Sequence, residues 1–143
     1  MIAVDTNILV NTHRAELVFH EQTYDCLRVL AEGAAPWGIP VSCLHGFLAV
    51  VWNPQIFNPA RSVKQSIDQI DTWRASPQAH VLHSCLQHGQ ILSELAVNAK
   101  LQGRQFHDAR IAAICIENGG SILWSADRDF GRFKAVKSVN PRV

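Results

Sequence analysis

Apolar and polar positions along this chain fall into short blocks whose period changes from block to block. Met1 to Val4 is an unbroken apolar run that stops on Asp5, the pattern of a strand buried on both faces in a parallel sheet covered by helices. Asp5 then stands at the C-terminal end of that strand, where open α/β sheets gather their ligand and metal sites, and Thr6 and Asn7 are residue types that cap a following helix. From Phe19 to Gly33, Tyr24, Leu27, Leu30 and Ala31 recur at spacings of three and four, which predicts a helix stopped by Gly33. Ala34 to Gly38 reads as a loop. Ile39 to Ser42 predicts the second strand, feeding a helix from about Cys43 to Trp52. The two prolines between Asn53 and Pro59 forbid its continuation.

A helix over Ala60 to Ala75 follows, with Val63, Ile67, Ile70 and Trp73 on one face and Lys64, Gln65, Asp68 and Asp71 on others. Ser76-Pro77 breaks the chain. His80 to His83 predicts a third strand, and Cys85 to Lys100 a helix with Leu92, Leu95, Ala96 and Ala99 as its apolar stripe, ended by Gly103. Asp108 opens the clearest helix, Ala-rich as far as Asn118, with Ile111, Ile114 and Cys115 at core spacing and a stop at Gly119-Gly120. Ser121 to Ser125 is the last predicted strand, and Ala126 to Phe130 the loop beyond it. With no internal repeat, low-complexity tract or linker, residues 1–143 read as a single α/β domain with a mostly parallel central sheet flanked by helices.

Composition narrows the function classes. Thirteen Lys and Arg against 12 Asp and Glu give a net charge of +1, which excludes a strongly basic binder that holds nucleic acid by bulk electrostatics alone. The charges are unevenly spread: residues from Lys100 onward carry a net +4 and the first 99 a net −3, so a polyanion would prefer the C-terminal third. Cys26, Cys43, Cys85 and Cys115 are far apart and form no C-x-x-C pair, which argues against a zinc ribbon or a dithiol redox motif and for small buried residues. No signal peptide is evident, and no apolar stretch approaches the roughly 20 residues that span a bilayer. A cytoplasmic protein with no membrane association is expected.

Three acidic placements coincide: Asp5 after the first strand, Asp108 in the first turn of a helix, and Asp127 with Asp129 after the last predicted strand. Each alone is an ordinary cap, dipole or turn residue. Together they form an all-oxygen set suited to Mg²⁺ or Mn²⁺, hard cations that bind a few carboxylates and keep waters for a substrate phosphate. Arg104, Arg110 and Arg128 flank the acids as phosphate-contact candidates. The seven histidines contain no H-x-x-x-H pair on a recognised helix, which disfavours a zinc hydrolase. Trp37, Phe47, Trp52 and Phe57 read as core or dimer-face residues rather than base-stacking ones.

Val4-Asp-Thr-Asn-Ile-Leu9, Phe106-His-Asp-Ala-Arg-Ile-Ala-Ala113 and Trp124-Ser-Ala-Asp-Arg-Asp-Phe130 together resemble, in order and over almost the whole chain, the PIN-domain ribonucleases, and within them the VapC toxins of toxin–antitoxin pairs. Trp37-Gly-Ile-Pro40, Gly46-Phe-Leu48, Asn53-Pro54, Phe57 and Asn140-Pro141 resemble one VapC subgroup. The resemblance implies a three-layer PIN-like fold, a Mg²⁺- or Mn²⁺-dependent endoribonuclease, an RNA substrate, a cognate VapB-type antitoxin and a homodimer. By motif, Asp5, Asp108 and Asp127 would be the metal-site acids, with Asp129 accessory, Ser125 in place of the usual Thr, and Asn7, Arg104, Arg110, Ser125 and Arg128 on the substrate side. Hydrolysis by metal-activated water needs no side-chain nucleophile.

One departure stands out. Most such nucleases carry a Glu where this chain has Gly46, so one side-chain ligand is missing. A catalytically weak or inactive PIN-like module that binds RNA or protein is therefore the rival reading. Gly46→Glu is expected to preserve the fold on helix propensity and to tighten metal affinity, unless Gly46 is kept small for helix packing. A phosphoacceptor receiver or a D-x-D phosphatase fails because Asp5 is followed by Thr6 and Asn7.

Overall fold

The computed structural model of the protein describes residues Met1–Val143. The first apolar run becomes the middle of its sheet. Strand β1 (Ile2–Val4) is followed by helices α1 (Thr6–His13) and α2 (His20–Glu32), strand β2 (Trp37–Pro40), helices α3 (Val41–Val51) and α4 (Val63–Arg74), and strand β3 (Ala79–Leu82). Helices α5 (His88–Asn98) and α6 (Gln105–Glu117), strand β4 (Ile122–Trp124), a 3₁₀ turn (Arg128–Arg132) and strand β5 (Lys137–Val139) complete the chain. The strands pair in the order β3-β2-β1-β4-β5, and every pairing is parallel, with Ile2 opposite both Trp37 and Ile122.

Two apolar clusters cover the two faces of this sheet. Val4, Ile8, Leu27, Trp37, Phe47 and Trp73 form one; Ala3, Leu82, Ala112, Cys115, Leu123 and Phe130 form the other. Adjacent β1 residues point to opposite clusters, as a strand's alternation requires, so the architecture is helix, sheet, helix. Because all strands run the same way, their C-terminal ends lie along one edge of the sheet. The strand order reverses at β1, between β2 and β4, and ligand crevices form at such a switch point.

Several elements depart from the pattern-based expectation. Helix α1 starts directly after Asp5, hidden from periodicity because Ile8, Leu9 and Val10 are consecutive and all buried. Strand β2 lies two residues earlier than expected, ending at Pro40, which pairs with Leu82; Val41 and Ser42 belong to α3. On α4, Val63 and Ile67 are exposed at 61% and 40%. The small polar Ser66 is buried there with Ile70 and Trp73, because its hydroxyl accepts from Trp52 Nε1 at 2.8 Å and donates to Ser62 O at 3.0 Å.

Helix α5 is shorter than the expected span of Cys85 to Lys100 and has no buried residue. Gly33 ends α2 with an ordinary φ of −77°, whereas after α5 both Lys100 and Gly103 are left-handed, each at φ 52°. Helix α6 begins at Gln105, so Asp108 lies at its fourth position rather than opening it. Strand β5 escaped the sequence reading because its three residues, Lys137-Ser-Val139, are exposed or half-buried on a sheet edge. All four cysteines are free; Cys43 and Cys115 are buried as expected, but Cys85 is exposed.

Candidate metal centre

Asp5 leaves the end of β1 and caps α1 with its own carboxylate, which accepts from Thr6 N at 2.7 Å. Its second oxygen accepts from Ser125 Oγ at 2.7 Å and Asn7 Nδ2 at 3.1 Å, and the Cys43 thiol lies 3.5 Å from the first. Four donors thus surround a carboxylate that has about four acceptor positions. Asp5 is only 5% exposed; burial pushes its carboxyl above the ordinary carboxylate range, and the bonds from Ser125, Thr6 and Cys43 act in the opposite sense.

The sheet brings the other acids to the same edge. Ser125, at the end of β4, donates to Asp5 and accepts from Asp127 N at 3.0 Å, so one buried hydroxyl joins the β1 end to the β4 loop. Asp127 caps the 3₁₀ turn, accepting from Asp129 N at 2.8 Å. That turn sets Asp129 beside it. Oxygens of Asp108, Asp127 and Asp129 lie within 4.8 Å of one another. Asp108 is pushed up to about 6, by burial first and then by the charges of Asp127, Asp5 and Asp129, with Arg132 opposing. Like-charged oxygens held this close repel one another, and a hard divalent cation relieves that repulsion. The donor set contains no sulfur or imidazole, which suits Mg²⁺ or Mn²⁺.

The tight triad is therefore Asp108, Asp127 and Asp129, with Asp5 as the buried floor behind it. Asn7 faces inward: its Nδ2 meets Asp5 and Ser125, and its Oδ1 accepts from Ala126 N at 3.0 Å. Like the buried Ser125, it positions the acids instead of presenting an open surface. Arg104 and Arg128 are exposed beside the site at the starts of α6 and the 3₁₀ turn. Arg110 is half-buried, with a buried Nε that has no hydrogen-bond partner.

The cation that does reach the acids is Arg132, absent from the sequence-derived set. Its Nε donates to Asp129 O at 3.0 Å and its Nη2 lies 3.6 Å from Asp129 Oδ1. Only the 3₁₀ turn, which places positions i and i+3 together, gives it that reach.

The PIN domain family profile matches residues 2–136. The chain belongs to the PIN domain family. The VapC ribonuclease Mb2897 of Mycobacterium bovis is 36% identical to this PIN domain over 141 residues, covering 99% of this chain and 95% of the relative. Two solved structures share its fold: VapBC2 from Rickettsia felis bound to a promoter DNA fragment, at TM-score 0.71 and 18% identity over 98% of both chains, and FitAcB from Neisseria gonorrhoeae, at TM-score 0.69 and 19% identity over 99% of this chain and 98% of the other.

At Gly46, where the resemblance leads to an expected Glu, the helices pack tightly. A Cβ on Gly46 would come 2.6 Å from Thr6 Oγ1, and that hydroxyl is held in place by its bond to Cys43 O at 3.1 Å. Position 46 faces Thr6, the residue after Asp5, where α1 and α3 approach closely. Of the two expectations for Gly46→Glu, this geometry favours the second, that position 46 is kept small for helix packing: the backbone propensity favouring Glu is local, and the collision is tertiary.

Proposed function

We propose that this PIN domain is a divalent-metal-dependent endoribonuclease of the VapC type, the toxin of a toxin–antitoxin pair. The observation that carries the reading is the convergence of Asp108, Asp127 and Asp129 within 4.8 Å at the carboxyl edge of a parallel sheet, in a chain 36% identical along nearly its whole length to a VapC ribonuclease.

Asp108, Asp127 and Asp129 hold Mg²⁺ or Mn²⁺, and Asp5 adds buried negative charge from below. When bound, the cation supplies Lewis acidity that activates water and offsets charge developing at phosphorus. The protein's own part is positional. Ser125 and Asn7 fix Asp5 and the β4 loop, Arg132 fixes Asp129, and the exposed Arg104 and Arg128 meet phosphates of the RNA, a contact that positions without reading sequence. Arg110, half-buried on α6 with its Nε out of solvent, stands apart from this pair. The partner is a VapB-type antitoxin, in keeping with the VapBC2 structure from Rickettsia felis; the active assembly is a homodimer, and the site of action is the cytoplasm. No helix is long and apolar enough to cross a membrane.

The absence of a side chain at Gly46 favours a second reading, a PIN module that binds RNA without cutting it. One assay separates the two. Structured RNA is cut in Mg²⁺, cutting stops with EDTA and returns with Mg²⁺ or Mn²⁺, and Asp108→Asn is inactive. Cleavage that survives EDTA overturns the metal reading; RNA binding without cleavage at any divalent concentration selects the inactive module.

A further inference from the structure

Beside the acids, where β4 and β5 emerge at their C-terminal ends, a cavity of about 320 Å³ is walled by Ser125, Asp127, Arg128, Gly131, Ser138 and Asn140, among others. We propose that it is a nucleobase subsite, taking one unstacked base of the RNA next to the phosphate at the acids. The inference rests on the RNA-cleaving reading for its biological role, but not for its test.

Size, charge and hydrogen bonding converge on a base. The volume stands at the lower end of small-molecule sites, about 300–1,000 Å³, which suits one flat ring and its sugar. The wall residues carry one cation, Arg128, against the Asp127 carboxylate and the terminal carboxylate of Val143, so the lining has no excess positive charge and favours a polar, uncharged ring over a second phosphate. Ser125 is buried with its hydroxyl engaged, and Asp127 belongs to the acid site, which leaves Arg128, Ser138 and Asn140 as the other polar side chains of the wall.

Asn140 Oδ1 accepts from Arg142 N at 3.0 Å; this bond orients the amide and leaves Nδ2 as its donor. A planar amide and a planar guanidinium are the groups that meet base edges, and a guanidinium can also stack on a base face. Gly131 opens the wall: a Cβ there would meet nothing within 4 Å. Sharing Ser125 and Asp127 with the acid site places this pocket within one nucleotide of the reacting phosphate.

The test uses the full chain in EDTA and observes backbone amide NMR shifts on titration with adenosine, guanosine, cytidine and uridine, with D-ribose as the base-free control. These probes carry no phosphate, so the acid cluster takes no part. At least one nucleoside is expected to bind about tenfold or more tightly than ribose, or ~1.4 kcal/mol, with shifts centred on Arg128, Ser138 and Asn140. Gly131→Leu fills the cavity from an unstrained position, and Asn140→Ser removes the amide donor while keeping an acceptor for the Arg142 amide. Each variant should reduce the advantage over ribose by about fivefold or more, with melting temperature and Mn²⁺ affinity unchanged. Equal binding of ribose and all four nucleosides, shifts centred elsewhere, or a base preference that survives Gly131→Leu would overturn the subsite. Base binding without RNA cleavage in Mg²⁺ would reject the nuclease reading and leave the subsite standing.

Discussion

At the scale of single residues, the acids divide by what surrounds them. Asp5 receives Thr6 N, Ser125 Oγ, Asn7 Nδ2 and the Cys43 thiol, so Asp5→Asn would turn an amide NH₂ toward groups that are themselves donors. Leaving buried donors unmatched costs about 1–3 kcal/mol, and the variant should melt earlier by a matching amount. Asp108 is held among like charges with its carboxyl raised to about 6, so Asp108→Asn removes repulsion from the metal-free protein. It should melt at the wild-type temperature or above while losing Mn²⁺ binding and RNA cleavage. Calorimetric melts and Mn²⁺ titrations of both variants check this; a strongly destabilised Asp108→Asn would show that its charge is matched by a cation within the fold.

At the scale of elements, two contacts between helices set local stability. Gly46 lets α3 approach α1 at Thr6, and a Cβ would stand 2.6 Å from Thr6 Oγ1. Overpacking costs about 1–3 kcal/mol, more than the several tenths or so of helix propensity that Glu regains over Gly. Gly46→Glu should therefore lower stability in denaturant titrations, and Thr6→Ser should recover part of the loss by removing the methyl 3.2 Å from the same Cβ. Full stability in Gly46→Glu would show that the helices part easily.

The second contact is the fully buried Glu117 side chain at the end of α6. His88 Nδ1 donates to it at 2.8 Å, and the Cys85 amide and thiol at 2.9 and 3.2 Å, tying the start of α5 to α6. Burial alone would raise this carboxyl, but the bonds from His88 and Cys85 outweigh it and hold it below the ordinary 4.5. A depressed folded pKa contributes stability that is present above the unfolded value and lost as pH falls through the folded one. Glu117→Gln should cost about 1–3 kcal/mol at pH 7, and the gap should narrow on acidification below about 4.5. A gap independent of pH would assign the loss to packing instead of charge.

At the scale of the whole molecule, the sheet collects acids on one edge while the C-terminal third carries the excess positive charge. Each phosphate contact on single-stranded RNA contributes about 0.7 to the log–log slope of affinity against salt. Arg128→Ala should flatten the measured slope by about that amount. Arg110→Ala, whose Nε is buried, should leave the slope unchanged and lower the melting temperature. Fluorescence anisotropy with a short RNA at several salt concentrations, beside thermal melts, measures both; a flattened slope for Arg110→Ala would move it onto the RNA path.

The sequence by itself determined the central strand, the Ala-rich α6 with its helical acid, the acids in chain order and the alternation that makes an α/β domain, because burial period and capping chemistry are local. Its resemblance to PIN-domain ribonucleases was equally legible, since Val4 to Leu9, Phe106 to Ala113 and Trp124 to Phe130 are contiguous fragments. Helix α1 and strand β5 were not, one lacking a helical period and the other too short and exposed. Only the tertiary structure decided that Asp129 joins the tight triad while Asp5 forms its floor, that Arg132 is the cation in reach, and that Thr6 closes the space at Gly46. Asp5 and Ser125 are 120 residues apart in the chain and 2.7 Å apart in space. Strand order and register make that distance, and neither is a local property of the residues they bring together.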